Sequence, residues 1–261
     1  MEIKKDKANV DILWEIIKTL RGEHGCPWDK KQTPYTLKKY LLEETYEAIE
    51  AIEKGDPEEI REELGDLFFI LLFIIYLYEE SKKFSFSDLI YFTAQKMIRR
   101  HPHVFGEEKV KTAEEVIEKW QRVKKEEGKS SSVLGNIPKS LPALQRAYRL
   151  GERAGRVGFD WEKPEDVLGK FEEEVKEIKD CLKKRDFDEL KKEIGDLLFT
   201  IANFSRKLNI NPEDALRSAL NKFETRFRML EKEIEKRGLS WDKLNIQELD
   251  KIWEEIKNQK Y

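Results

Sequence analysis

One stretch of the chain occurs twice, and this internal repeat limits the possible folds more than any other feature. The sequence EETYEAIEAIEKGDPEEIREELGDLFF begins at Glu43, and EEVKEIKDCLKKRDFDELKKEIGDLLF begins 130 positions later at Glu173. Among the positions that are the same in both copies, Glu43, Glu44, Glu47, Asp56, Glu63, Gly65 and Asp66 recur as Glu173, Glu174, Glu177, Asp186, Glu193, Gly195 and Asp196. A repeat of this length predicts two copies of one structural unit.

The segment between the copies predicts where the units meet. KKEEGKSSSVLGNIPKSLP is rich in Gly, Ser and Pro, which is typical of a linker. We therefore predict an N-terminal repeat over residues 1–129, a linker over 130–140 and a C-terminal repeat over 141–261.

Each copy has the periodicity of helices. Apolar residues recur at spacings of three and four in both, as Leu64, Phe68, Leu71 and Ile75 and as Leu168, Phe171, Val175, Ile178 and Leu182. Asp56 with Glu59, and Asp186 with Glu189, have the spacing of a capping box at a helix start. The pattern predicts an all-α fold in which a tight turn joins two antiparallel helices in each repeat.

Composition excludes several classes of protein. Charged residues form 39 % of the chain, but the formal net charge is only -3, so no basic excess indicates a nucleic-acid or membrane-surface partner. The apolar run at residues 67–78 is shorter than the roughly 20 residues of a membrane-spanning helix, and it predicts a buried helix. The charged N-terminal stretch is unlike a signal peptide, and the two separated cysteines, Cys26 and Cys181, fit a reducing cytoplasm.

The acidic positions mirror each other across the predicted turns. Glu44 and Asp66, like Glu47 and Glu63, are centred on residue 55. In the second copy the pairs 174 with 196 and 177 with 193 are both centred on residue 185. Mirrored positions lie at the same height on antiparallel helices about 8–10 Å apart, so four carboxylates can meet across one seam.

Close carboxylates repel one another unless protons or cations relieve them. A set of ligands made only of oxygen suits a hard cation such as Mg²⁺. The alternative is that each acidic run is a solvated helix face, as in many highly charged chains. Mirrored spacing in both repeats favours the metal site.

These residues carry a resemblance to the MazG nucleoside triphosphate pyrophosphohydrolases, whose signature is E-E-x-x-E followed by E-x-x-D. EETYE with ELGD and EEVKE with EIGD match it, and GCPWD, RRHPHVFG, LPALQRA, VGFDW and NKFETRF are similar to other segments of two-repeat members. The resemblance implies an all-α fold, an intertwined homodimer, dependence on Mg²⁺ with Mn²⁺ as a substitute, and hydrolysis of (d)NTPs to the monophosphate and pyrophosphate.

The resemblance also implies roles for individual residues. The metal ligands would be Glu174, Glu177, Glu193 and Asp196, with Glu44, Glu47, Glu63 and Asp66 as their counterparts. Glu173 and Glu43 would orient or deprotonate the attacking water, and Glu193 is a second candidate for the catalytic base. In such proteins the C-terminal unit is usually the stronger catalyst, which agrees with NKFETRF in the second repeat against QKMIRRH in the first.

Cationic residues near the end of each repeat are candidates for phosphate binding. Lys222 and Arg226 lie one turn apart on a predicted helix, next to Asn221, and the first repeat has Gln95, Lys96 and Arg100 at the same spacing. Each such pair can equally be an ordinary surface pair. A base could stack on Trp28, Trp161 or Trp253, although tryptophan more often belongs to a core or an interface. Trp253 is our candidate for contact with the nucleobase.

Two alternatives stay open. His24, Cys26, His101 and His103 could form a zinc site, but they lack the spacing of a zinc finger, and a structured loop is the preferred interpretation. The rival function is a non-catalytic helical interaction module with a structural cation. Release of pyrophosphate from a nucleotide on addition of Mg²⁺ separates that module from the enzyme.

Overall fold

The computed structural model describes residues 8–108, 110, 112, 115–116, 119 and 132–258. The chain forms two compact units, Met1–Val123 and Lys124–Tyr261. The first two residues of the predicted linker, 130 and 131, lie outside the described residues. The exact limits of the repeats and of the linker therefore remain predictions.

Helices make up both units, and no strand occurs in the described ranges. The first unit contains α1 (Val10–Arg21), α2 (Pro27–Lys30), α3 (Pro34–Lys54), α4 (Pro57–Glu80), α5 (Phe86–Arg100) and α6 (Pro102–Phe105). The second contains α7 (Ala143–Gly155), α8 (Pro164–Lys184), α9 (Phe187–Lys207), α10 (Pro212–Lys236), a 3₁₀ turn (Trp241–Lys243) and α11 (Ile246–Asn258). The all-helical prediction is confirmed, and α3 with α4 corresponds to α8 with α9.

Both helix pairs are joined by turns of two residues. Gly55 ends α3 in the left-handed conformation, with φ +78°, and its N–H donates to the carbonyl of Ala51. Arg185 takes the same place after α8, with φ 58°. A left-handed residue at this position closes the helix and reverses the chain, so the next helix runs antiparallel to it.

The aspartates cap the second helices, but without the predicted capping boxes. Asp56 accepts the N–H of Glu58 rather than that of Glu59, and Asp186 accepts the N–H of Glu189. The glutamates do not return the bond because their side chains are paired elsewhere: Lys54 Nζ lies 3.2 Å from Glu59, and Lys192 Nζ lies 2.5 Å from Glu189.

Each unit has its own buried cluster. In the first, α1, α3 and α4 bury Ile17, Leu37, Leu72, Phe73 and Leu77. In the second, α10 and α11 bury Leu230, Ile234, Ile252 and Ile256. Gly151 allows a close approach of α7 to α9, since a Cβ there would lie 2.0 Å from Asn203 Oδ1.

The apolar stripes of the helix pairs are only partly covered. Leu64, Phe68 and Leu71 on α4 are 41–45 % exposed, and Leu168 and Leu182 on α8 are 44 % and 54 % exposed. The prediction of a buried helix over residues 67–78 is therefore wrong for one of its faces, because α4 is apolar on two sides and the unit covers one. No helix in the described ranges is long and apolar enough to cross a membrane.

Candidate active site

The first unit brings three carboxylates together on the facing sides of α3 and α4. Oxygen atoms of Glu44, Glu63 and Asp66, which we call the first triad, lie within 4.8 Å of one another. Because α3 and α4 pack antiparallel around residues 55 and 56, one residue of α3 meets two of α4. The mirrored spacing predicted this meeting of the helices.

Glu47 lies beside the first triad rather than within it. Burial raises the pKa of Glu44 above its ordinary value, and the charges of Glu47, Asp66 and Glu63 raise it further. Burial also raises the pKa of Glu63, with Glu47 and Asp66 as the next causes. Bringing like charges together favours the protonated form, and a bound cation would relieve the same repulsion.

The second unit repeats this arrangement with a different set of residues. Oxygen atoms of Glu174, Glu177 and Glu193, the second triad, lie within 4.8 Å of one another. Burial raises the pKa of Glu193, and the charge of Glu177 and a hydrogen bond to it raise it further. Asp196 is exposed and is not part of this group, so its predicted ligation stays a prediction.

Glu174 is the most buried acidic residue of the site. Its side chain is 2 % exposed, and Lys170 Nζ lies 2.7 Å from its Oε1. Its Oε2 has no hydrogen-bond partner. A buried carboxylate oxygen without a donor is costly, so this atom is suited to a cation that arrives with the ligand.

Lys170 also reaches the proposed water-orienting residue. Its Nζ lies 3.1 Å from Glu173 Oε1, and the hydrogen bonds to Glu174 and Glu173 raise the pKa of Lys170 well above its ordinary value. The lysine therefore stays charged and partly neutralises the carboxylates. Sequence reasoning missed Lys170, although its spacing of three and four residues to Glu173 and Glu174 on a predicted helix was a visible signal.

The predicted phosphate-binding residues of the second unit lie on α10. Asn221 and Lys222 are exposed, and Arg226 is half-buried. The Nε of Arg226 has no hydrogen-bond partner. Within the described part of the chain, neither cation forms an ion pair with the second triad.

Their counterparts in the first unit differ. Lys96 Nζ lies 5.9 Å from the centre of the Phe92 ring. Arg100 is buried, with 8 % exposure, at the end of α5, whereas Gln95 is exposed. A buried guanidinium offers little surface to a nucleotide, so the shared spacing does not give the two units the same surroundings.

Trp253 lies in a group of aromatic rings. It packs on the buried cluster of α10 and α11, and its ring centre is 5.4 Å from that of Phe223. Phe223 in turn stacks on Phe227, and Phe227 stacks on Trp241. The contact of Trp253 with a nucleobase stays a prediction. The exposed rings of Phe223 and Trp241 were not anticipated.

The structure gives no support to the zinc alternative. Where the chain is described, neither group of three possible metal ligands contains a histidine or cysteine. His101 Nδ1 instead lies 2.7 Å from the carbonyl oxygen of Met97, and His103 lies in the short helix α6 rather than in the predicted loop.

Comparisons with known proteins agree with this architecture. A model of the MazG nucleotide pyrophosphohydrolase domain matches residues 32–105 and 162–229, once in each unit. The chain is 45 % identical over 247 residues to the nucleoside triphosphate pyrophosphohydrolase/pyrophosphatase MazG of Thermotoga maritima, covering 94 % of each chain. It is 40 % identical over 256 residues to the nucleoside triphosphate pyrophosphohydrolase of Escherichia coli K12, covering 96 % of this chain and 97 % of that one.

In two further comparisons the match covers only about half of one of the two chains. The Bacillus subtilis protein YabN is 41 % identical over 245 residues, which are 93 % of this chain and 50 % of that one. The crystal structure of a mazG-related protein from Thermotoga maritima is 33 % identical and covers 44 % of this chain and 98 % of that one, with a TM-score of 0.39. The two domain matches together span more than half of the sequence, and the relatives from Thermotoga maritima and Escherichia coli K12 match over nearly their full length. The chain therefore belongs to the MazG nucleotide pyrophosphohydrolase family.

Proposed function

We propose that the protein hydrolyses nucleoside triphosphates between the α and β phosphates, with Mg²⁺ held by the second triad. The observation that carries this proposal is the buried Glu174 carboxylate, whose Oε2 lacks a partner and faces no hydrogen-bond donor. The general activity, hydrolysis of nucleoside triphosphates with release of pyrophosphate, follows from the family of the chain. It also follows from relatives that are named nucleoside triphosphate pyrophosphohydrolases and match over nearly their full length.

The residues of the second triad fit the metal. They offer only carboxylate oxygens, the donors that Mg²⁺ prefers, and Asp196 lies one turn from Glu193 on α9 as a further ligand. When bound, Mg²⁺ would screen the charge of the triphosphate and lower the pKa of a coordinated water. Mn²⁺ prefers the same oxygen donors and would substitute.

Protein groups supply the remaining functions. Glu173 is 55 % exposed and ion-paired with Lys170, so its carboxylate is held beside the triad, where it can orient water or accept a proton. Glu193 is the second candidate for the base. Lys222 and Arg226 would bind the phosphates, and Trp253 would contact the base of the nucleotide.

We propose that a second copy of the chain completes the site. The half-exposed stripes of α4 and α8 are large apolar surfaces of the kind that associate in water. Burying them in an intertwined homodimer would also provide a route for Lys222 and Arg226 of one copy to reach the triad of the other. Sedimentation at micromolar concentration is expected to show a dimer, and an active, folded monomer would contradict this proposal.

Product analysis tests the function. Incubation of a nucleoside triphosphate with the protein and Mg²⁺ in ¹⁸O-labelled water is expected to give the monophosphate and pyrophosphate, with label in one of them. Orthophosphate and a diphosphate as first products would contradict cleavage at the α–β bond. No release of any product with Mg²⁺ would favour the non-catalytic interaction module.

A further inference from the structure

An aromatic surface lies in the first unit where the second unit has Lys170. The residue of α3 that corresponds to Lys170 is Tyr40, four positions before Glu44. Its ring centre is 5.7 Å from that of Trp28, at an angle of 65°, and Lys39 Nζ lies 4.4 Å above its ring. We call Trp28, Lys39 and Tyr40 the indole patch.

The indole of Trp28 is exposed although its backbone is firmly held. The residue is 50 % exposed, and its carbonyl accepts a hydrogen bond from Gln32 Nε2 at 3.0 Å. The next carbonyl, of Asp29, accepts a hydrogen bond from Arg21 Nη1 at 2.6 Å, and Arg21 is anchored by its ion pair with Glu80. The backbone is thus fixed and the Tyr40 ring lies against the indole, so Trp28 has less conformational entropy to lose when a ligand stacks on it.

Tyr40 fixes the indole patch to the protein core and places it next to the first triad. The ring packs against the buried cluster of α1, α3 and α4, so it cannot swing away. Residues four apart on a helix lie about 5–6 Å from each other on one face, which places Tyr40 next to Glu44 of the first triad. One face of the Tyr40 ring is taken by Lys39, and the accessible aromatic surface is therefore that of Trp28.

We infer that the indole patch binds the base of a nucleotide, which makes the first unit a second nucleotide site. Stacking on an exposed indole suits the flat face of any nucleobase. The Lys39 ammonium, adjacent on the same patch, is the cation that meets the phosphates. Contact of the phosphates with a metal ion on the first triad rests on the proposed function, whereas stacking on Trp28 does not.

The first unit has Tyr40 where the second has Lys170, which explains why the first site would bind a nucleotide without hydrolysing it. Lys170 holds Glu173 and the buried Glu174 in place in the second unit. In the first unit Tyr40 gives Glu43 and Glu44 no cation, but it extends the aromatic surface. The same fold position thus holds a cation beside the carboxylates in one unit and, in the other, the ring that packs against Trp28.

Binding of α,β-methylene ATP, which resists cleavage at the α–β bond, tests the inference on the full chain with Mg²⁺. Calorimetry is expected to give two analogue molecules per chain, and Trp28→Ala is expected to weaken one of them by about tenfold or more. Tyr91→Ala removes an aromatic ring that is 69 % exposed elsewhere in the first unit, and it should change neither binding event.

A spectroscopic measurement covers the case in which Trp28→Ala does not fold. In the chain labelled with 5-fluorotryptophan, the ¹⁹F resonance that Trp28→Phe removes is expected to shift on addition of the analogue. One analogue per chain with an unmoved Trp28 resonance would overturn the inference. So would a folded Trp28→Ala chain that binds two analogues with the affinities of the unmodified chain.

Hydrolysis measured in parallel separates this inference from the proposed function. Trp28→Ala is expected to release pyrophosphate from ATP at a rate within about twofold of the unmodified chain, because the second triad is intact. Normal hydrolysis together with a Trp28 resonance that does not shift would overturn only the second nucleotide site. A shifting Trp28 resonance in a chain that releases no pyrophosphate would support the second site and contradict the proposed activity.

Discussion

Each unit brings three carboxylates together between its paired helices, but the two units surround them differently. In the second, Lys170 pairs with Glu173 and with the buried Glu174. In the first, Tyr40 occupies the corresponding position, and the carboxylates raise one another's pKa without a lysine among them. The comparison shows that duplication preserved the acidic framework, while a single position one turn away set how its charge is balanced.

The cations on the later helices extend this contrast. Arg226 is half-buried and has an Nε without a partner, whereas Arg100 is buried at the end of its helix. Phe223 and Phe227 stack beside Lys222 and Arg226, and the first unit has Met97 at the position of Phe223. The second unit is therefore better equipped to hold a triphosphate in a reactive position.

The largest expected effect comes from removing one carboxylate of each triad. Loss of residues that merely support metal ligands typically costs 10–100-fold, so Glu193→Ala should lower turnover by about 100-fold or more. Glu63→Ala should lower it by no more than a few fold. Steady-state pyrophosphate release checks both, with circular dichroism and sedimentation as controls for folding and assembly. Greater damage from Glu63→Ala would move the main site to the first unit.

The cations should show a smaller difference in the same direction. Lys222→Ala or Arg226→Ala removes a charge-assisted hydrogen bond to phosphate and is expected to lower kcat/KM by about 10–100-fold. Lys96→Ala, the matched change in the first unit, should leave kcat/KM within about threefold. Equal losses from Lys222→Ala and Lys96→Ala would show that the units share one mode of phosphate binding.

Lys170 tests the charge balance through stability. Lys170→Met leaves the buried Glu174 without its cation and should reduce the free energy of unfolding in EDTA by roughly 1–3 kcal/mol. Lys170→Arg keeps the positive charge and should retain most of the free energy of unfolding. In the first unit, Tyr40→Lys supplies a cation but removes a ring that packs on the buried cluster, so it should lower the free energy of unfolding, unlike Lys170→Arg. Denaturant titration measures all three, and an unchanged Lys170→Met chain would refute the role given to this lysine.

The smallest expected effect is the pH dependence of the metal-free protein. A carboxyl whose pKa is raised on folding contributes stability that is fully present below its ordinary pKa of 4.5 and lost as pH rises through the raised value. Glu44→Gln cannot ionise, so it should raise the Tm in EDTA at pH 7 but not at pH 4. Glu174→Gln should lower the Tm at pH 7, because it weakens the pairing with Lys170. Thermal unfolding between pH 4 and pH 8 measures both variants. A lower Tm for Glu44→Gln and a higher Tm for Glu174→Gln at pH 7 would contradict the charge balance assigned to the two units.

Much of this architecture could be predicted from the repeat and its mirrored acidic positions. The helix pairs, the turns at residues 55 and 185 and the two groups of carboxylates follow from spacing alone. Spacing could not select three of four carboxylates, because a pair three apart is present in each triad, Glu63 with Asp66 in the first unit and Glu174 with Glu177 in the second. The same spacing leaves Glu47 outside the first triad and Asp196 outside the second.

Other features depend on contacts that periodicity does not encode. The stripe of Leu64, Phe68 and Leu71 has the same pattern whether a core or a second chain covers it, and only the structure shows it half-exposed. The indole patch joins Trp28 on the short helix α2 to Tyr40 on α3, and no regular spacing relates residues on two separate helices. Glu59 and Glu189, which were expected in capping boxes, pair with Lys54 and Lys192 instead.

The central claim is that the second triad holds the metal ion that supports hydrolysis. Its most direct test is to count bound Mn²⁺ by electron paramagnetic resonance and to measure pyrophosphate release in the same samples, for Glu63→Ala and Glu193→Ala. In Glu63→Ala, release is expected to rise in proportion to the Mn²⁺ bound. In Glu193→Ala, Mn²⁺ is expected to bind at the first triad with release at background level. Undiminished, Mn²⁺-dependent pyrophosphate release from Glu193→Ala would contradict the account.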